Sequence, residues 1–182
     1  MESTLPDTQL ENKPSKYPMK DYAKKEYWDE RFTKDEGNFD WYVSYKQIRP
    51  HFERIFNPLD GPYDILMVGS GNSRLSIDMH EHGYANITNV DYCDIVLHKM
   101  RTQTCEAGLD QEFASMDATR MPFRDSCFDI VLDKGTFDAL ACENNRLPMQ
   151  TLTQEMLRVT RKGGATVIIT NGTEEKRVHY FE

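Results

Sequence analysis

Three short stretches bring together residue types that suit a nucleoside ligand. Gly69-Ser70-Gly71-Asn72-Ser73 follows an apolar run and precedes a helical pattern. Two glycines there let the backbone turn sharply and pass close to a ligand. A glycine turn at a strand end also serves tight packing, so alone it is a weak signal. Asp91 closes the next apolar run, twenty residues after Gly71. That is the distance at which an acidic side chain accepts from both ribose hydroxyls of a bound nucleoside. The competing role for Asp91, an N-cap ahead of Ile95 and Val96, is better filled by Cys93 or Asp94. Met116-Asp117-Ala118 closes the third run. Asp117 would accept from an adenine amino group while Met116 or Ala118 packs on the ring, or it is equally a turn residue. A dinucleotide enzyme would use the same loop and acid, but its G-x-G-x-x-G fingerprint has Arg74 where the third glycine belongs.

These residues have to be presented by a frame, and the hydrophobic pattern supplies one. Short apolar runs at 64–69, 86–91, 112–116, 128–134 and 165–170 predict strands. Helical patterns at 73–82, 94–106, 136–144 and 149–161 alternate with them. Pro148 and Gly163 are suited to start and stop the last of these helices. The strands Ile65-Leu66-Met67-Val68 and Ile130-Val131-Leu132 are continuously apolar, as expected where helices cover both faces of a parallel sheet. The fold predicted is a doubly wound, Rossmann-like α/β sheet, whose ligand lies outside the carboxyl ends of the strands. Upstream, Tyr22, Tyr27, Trp28 and Phe32 predict a short amphipathic helix over 21–32, and Trp41, Tyr45, Ile48, Phe52 and Ile55 a second one that Pro50 kinks or splits. Residues 1–18, polar and proline-bearing, are expected to be a disordered leader, with one domain over 19–182.

With 182 residues, 30 carboxylates, 22 Lys and Arg and a net charge of −8, the chain suits one cytoplasmic domain. An acidic balance argues against nucleic acid as a partner, since phosphate binding draws on clustered cations. No apolar run approaches the roughly 20 residues that span a bilayer, and the first residues carry no signal-peptide pattern. The four cysteines, Cys93, Cys105, Cys127 and Cys142, form no C-x-x-C pair, and His80 and His82 point to different helix faces, so no metal is expected.

Tyr27-Trp28-Asp29-Glu30-Arg31-Phe32, Phe39-Asp40-Trp41-Tyr42, Met67-Val68-Gly69-Ser70-Gly71-Asn72-Ser73 and Asp133-Lys134-Gly135-Thr136-Phe137-Asp138 together resemble the class I, seven-strand S-adenosylmethionine methyltransferases. Within that class they are similar to the branch that methylates lysine in eukaryotic elongation factor 1A. The resemblance implies S-adenosyl-L-methionine as cofactor, with Trp28, Phe32 and Trp41 closing over it, Gly69 beside its methionine part and Gly71 among the cofactor-binding residues. It further implies Asp91 and Tyr92 at the ribose, Asp117 and Ala118 at the adenine, and Lys134 at the edge of the site. Phe32 stands where tyrosine is more usual and Ser70 where cysteine is.

Methyl transfer from a sulfonium to an amine is an in-line displacement, so a protein mainly aligns donor and acceptor and excludes water. The attacking amine must be neutral, and Asp138 is the candidate for orienting it or steering its proton, ahead of Asp133. Trp28 and Trp41 would bound a lysine channel or shield the sulfonium, or serve simply as core tryptophans. The resemblance implies a protein substrate, with elongation factor 1A as the candidate. Members of the class continue for two further strands after the position of Thr170, whereas residues 171–182 are too short and too charged to supply both. A short form, or a sheet edge covered by another subunit or by self-association, is therefore expected. The rival readings are a noncatalytic cofactor-binding or scaffolding module and a methyltransferase for small molecules or N-terminal amines.

Overall fold

A computed structural model describes residues 21–35, 37–143 and 145–180. The expected leader lies outside them. Five strands, β1 (Asp64–Val68), β2 (Asn86–Asp91), β3 (Glu112–Ser115), β4 (Phe128–Lys134) and β5 (Thr160–Ile169), form one sheet in the order β3-β2-β1-β4-β5. Every pairing is parallel. From β1 the chain winds outward to β3, then crosses back to lay β4 on the other side of β1, so strand order reverses between β1 and β4. The register brings Val68 beside both Val90 and Asp133, which aligns three strand tips at that reversal.

Alternate residues of these strands enter two separate cores, which explains their continuous apolar runs. Ile65, Met67, Ile87, Ile130 and Leu132 pack on one face with Tyr45 and Phe52 of α2 (Tyr45–Phe52) and Leu75 and Met79 of α3 (Leu75–Glu81). Leu66, Val68, Val90 and Val131 pack on the other face. There they meet Phe137 of α5 (Thr136–Leu140) and Met149, Leu152 and Met156 of α6 (Leu147–Val159). A third cluster forms where Phe32 of α1 (Lys25–Lys34) meets Val96, Leu97 and Met100 of α4 (Asp94–Glu106). No helix among the described residues is long and apolar enough to cross a membrane.

Several boundaries differ from the sequence pattern for identifiable reasons. The first helix begins at Lys25 rather than at residue 21, because residues 21–23 form a turn in which Lys24 N donates to Asp21 O. Pro50 lies inside α2 without splitting it. Trp41 lies outside that helix: Tyr42 has φ +62°, a left-handed conformation that ends any helical run through it. Gly163 does not stop a helix but sits in β5, at φ +86°, beside a register shift opposite Phe128 and Ile130. A Cβ on Gly164 would run into Asp129 O, so this pair of glycines permits the bulge. The helix expected over 136–144 ends at Leu140. Beyond β5 come α7 (Glu174–Arg177) and a 3-10 turn (Val178–Tyr180), and among the described residues nothing pairs with the outer edge of β5.

Candidate active site

A cleft opens over the tips of β1, β2, β3 and β4. Counted together with the open solvent at its mouth, it encloses about 830 Å³. Trp28, Phe32, Trp41, Gly69, Gly71, Asp91, Tyr92, Asp117, Ala118 and Lys134 all line it. Of the residues expected from the sequence, Asp138 does not, nor does Asp133, the candidate ranked behind it.

The floor is built from backbone. Gly69 and Gly71 have φ of +58° and +52°. A Cβ on Gly69 would overlap Thr136 Oγ1, and one on Gly71 would come within 3.4 Å of Phe32 Cζ. Ser70 N donates to Val90 O at 3.0 Å, and Gly71 N to Asp91 Oδ2 at 2.9 Å. The other Asp91 oxygen accepts from Cys93 N at 3.0 Å. Asp91 therefore ties the glycine loop to the start of α4, a bond to the helix start that the sequence had assigned to other residues. An ionised carboxylate has about four acceptor positions, so these amides do not exhaust it, and Asp91 lines the cleft. Burial pushes the Asp91 carboxyl up, against the amides of Cys93, Gly71 and Tyr92, which pull it down. Asp117 does form a turn, with Oδ1 accepting from Thr119 N at 2.8 Å and Oγ1 at 2.7 Å. Its residue is exposed at the cleft wall, so the turn leaves its second oxygen for a ligand.

The roof is aromatic. Trp28 stacks on Phe32 with centroids 5.5 Å apart, and Trp41 meets Phe39 edge-on at 5.1 Å. The Arg31 guanidinium lies 5.1–5.4 Å from the rings of Trp28, Phe39 and Trp41, fastening them from behind. Phe39 and Tyr22, which also line the cleft, carried no assignment from sequence; the Phe39-x-Trp41 spacing was the signal available.

At the β4 side, Lys134 Nζ donates to Asp40 Oδ1 at 2.5 Å and to Val43 O at 3.3 Å. Burial lowers the Lys134 ammonium's pKa while Asp40 draws it back up. Asp133 pairs with no cation among the described residues: its oxygens accept from Thr136 N at 3.0 Å and Phe137 N at 3.2 Å, capping α5. Asp138 is held from four directions. Thr170 Oγ1 and Arg177 Nη2 donate to one oxygen at 2.6 and 2.7 Å, and Tyr42 Oη and Asn171 N to the other, each at 2.8 Å. These bonds fill its acceptor positions and make it a joint between α5, the residues after β5 and Tyr42. No group of three or more His, Cys, Asp or Glu suited to a metal occurs among the described residues.

The fit to an adenosyl ligand rests on these features: a loop whose glycines leave no Cβ in the cradle, a buried acid with open acceptor positions, and an apolar wall. A family described as a methyltransferase domain matches residues 66–168. The eEF1A lysine and N-terminal methyltransferase homolog of Drosophila pseudoobscura pseudoobscura is 38% identical over 148 residues, 79% of this chain and 22% of that protein. EEF1A lysine methyltransferase 4 of Mus musculus is 28% identical over 181 residues, 92% of this chain and 69% of that one. The chain thus spans about a fifth of the first of these relatives. Among solved structures, a SAM-dependent methyltransferase from Methanosarcina mazei superposes with a TM-score of 0.61 at 20% identity, covering 78% of this chain and 63% of that one. The cyclase SpnF does so with a TM-score of 0.63 at 18% identity, covering 81% and 59%. The shared architecture thus hosts more than one reaction.

Proposed function

Because the chain belongs to the methyltransferase domain family, we propose that it binds S-adenosyl-L-methionine and transfers its methyl group to a lysine amine of a protein, with elongation factor 1A as the candidate substrate. The observation that carries this reading is the joint at Asp91, where one buried carboxylate fastens the glycine loop and keeps acceptor positions toward the cleft. The relatives named as eEF1A lysine methyltransferases support the acceptor class.

When bound, S-adenosylmethionine supplies an electrophilic methyl group on a sulfonium sulfur. Asp91 accepts from the ribose hydroxyls, and Asp117 from the adenine amino group with Met116 and Ala118 against the ring. Trp28, Phe32 and Trp41 exclude water and present ring faces to a cation. At the acceptor side the lining is Lys134, Gly135, Thr136, Ala139 and Leu140. None of these is a carboxylate, and Asp138 is fully engaged elsewhere. The amine therefore loses its proton through desolvation against apolar surface, which lowers an ammonium pKa, with the proton passing to solvent. The acidic chain, at −8, suits the approach of a basic protein.

A second reading is favoured by the names of the relatives themselves, several of which join lysine to N-terminal methylation. An α-amine has a pKa of about 7.7–8.0 against about 10.4 for lysine, so pH separates the two. Incubation with labelled cofactor and elongation factor 1A, followed by peptide mapping, tests both. Label on a lysine, at a rate still rising above pH 9, is the expected result. Label confined to the N-terminal amine, with a rate that levels off near pH 8, supports the second reading. Cofactor binding with no label on either would favour a scaffolding role.

A further inference from the structure

Residues 37–43 run from the end of α1 across the mouth of the cleft, and Phe39 and Trp41 within them line it. Between those two rings stands Asp40, whose Oδ1 accepts from two groups on opposite banks. One is Ser73 Oγ, which follows the glycine loop after β1. The other is the Lys134 ammonium at the end of β4, 2.5 Å away. The Lys134 side chain is 5% exposed and that of Asp40 24%, so this is a charge pair largely withdrawn from water.

The remainder of the strap has its own ties, among them the bond from Tyr42 Oη to Asp138 at 2.8 Å. Its first part is tied to the glycine loop by neutral hydrogen bonds: Phe39 N and Asn38 Nδ2 donate to Asn72 O at 3.2 and 3.0 Å, and Asn72 Nδ2 to Gly37 O at 2.7 Å. Its last part passes through Tyr42 in the left-handed region, a conformation unfavourable for a bulky residue that has to be held by its surroundings. One carboxylate oxygen is thus the point at which the strap, β1's loop and β4 meet, at the place where strand order reverses.

We propose that Asp40 is the positioning residue of this cleft: by joining Ser73 and Lys134 it holds Phe39 and Trp41 over the ligand and so sets how long a bound nucleoside stays. The proposal rests on the cofactor reading given above. It assigns Asp40 no contact with the reacting atoms; it acts through Trp41 and Lys134. Loss of its charge leaves the buried ammonium without its counter-ion, so the strap loosens. A bound ligand then has fewer contacts to break, so escape is faster, whereas association rates vary much less among variants of one site.

The test is stopped-flow binding of S-adenosylhomocysteine, read by tryptophan fluorescence, with wild type, Asp40→Asn, Lys134→Met and the double variant. Wild type is expected to bind, and Asp40→Asn to raise the dissociation rate about tenfold or more, the factor expected for one charge-assisted bond, with the association rate nearly unchanged. In the Lys134→Met background, where no buried ammonium is stranded, the same change should have a much smaller effect. Should Asp40→Asn fail to fold, the double variant against Lys134→Met still reads the remaining Ser73 link. A dissociation rate within about twofold of wild type, or independent effects of the two substitutions, overturns the proposal. No binding by wild type would instead overturn the cofactor reading.

Discussion

The two ends of the cleft are held by different kinds of bond. At the end proposed for adenosine the ties are mostly backbone to backbone or backbone to one acid: Ser70 N to Val90 O, Gly71 N to Asp91, Met116 N to Asp91 O at 2.9 Å. Strand register sets them, so they are as firm as the sheet. At the acceptor end they join side chains far apart in sequence, Asp40 with Lys134 and Tyr42 with Asp138. The adenosine end is therefore a fixed socket, and the acceptor end is a cover whose stability is adjustable by single substitutions. Tight ligand recognition belongs with the first, and gating and acceptor choice with the second.

Substitutions separate these roles, beginning with the largest effect. Asp91→Ala removes the acceptor proposed for the ribose hydroxyls, and two charge-assisted bonds at about 1.5 kcal/mol each correspond to about a hundredfold weaker S-adenosylhomocysteine binding by calorimetry. If its affinity stays near that of wild type, the socket does not work through Asp91. Gly69→Ala forces a Cβ against Thr136 at a left-handed φ, which costs about 2–3 kcal/mol and roughly 5–10 °C in Tm by calorimetric unfolding. Gly71→Ala, with only Phe32 nearby at 3.4 Å, should cost about half as much.

Asp138→Asn sharpens the comparison from the other end. It strands one or two of four donors, so Tm should fall by roughly 3–6 °C while S-adenosylhomocysteine affinity stays within about twofold. An affinity loss as large as that of Asp91→Ala would erase the distinction between socket and cover. The smallest effect is on pH dependence. Burial pushes the Asp133 carboxyl up to about 7, against the amides it caps. Its folded pKa exceeds the unfolded value of about 3.9, so its contribution to stability is complete below about pH 4 and is lost as pH rises through about 7. Between those values the Tm of wild type should fall relative to that of Asp133→Asn; parallel profiles would place the titration elsewhere.

The socket was legible in the sequence and most of the cover was not. Strands β1, β2 and β3 are legible as short local runs, and each is closed or followed by residues that line the cleft, so local pattern alone located Gly69, Asp91 and Asp117. The aromatic spacing from Trp41 to Ile55 mimics a helix, and only the left-handed Tyr42 breaks it, a backbone state that its residue type does not advertise. Gly163 looks like a helix stop because glycine ends helices, yet here it and Gly164 permit a bulge beside Asp129 that depends on a partner strand. Asp40 and its ammonium are 94 residues apart, and Asp138 and Arg177 39 apart. Such pairs leave no local trace, which is why Asp40 carried no role and Asp138 was taken as a group free to serve the amine.

A crystal structure of the chain soaked with S-adenosylhomocysteine tests the central claim most directly. The account predicts nucleoside density over the tips of β1, β2 and β3, with the ribose against Asp91 and the strap closed above it. Empty tips at saturating ligand, or density bound away from Asp91, would contradict it.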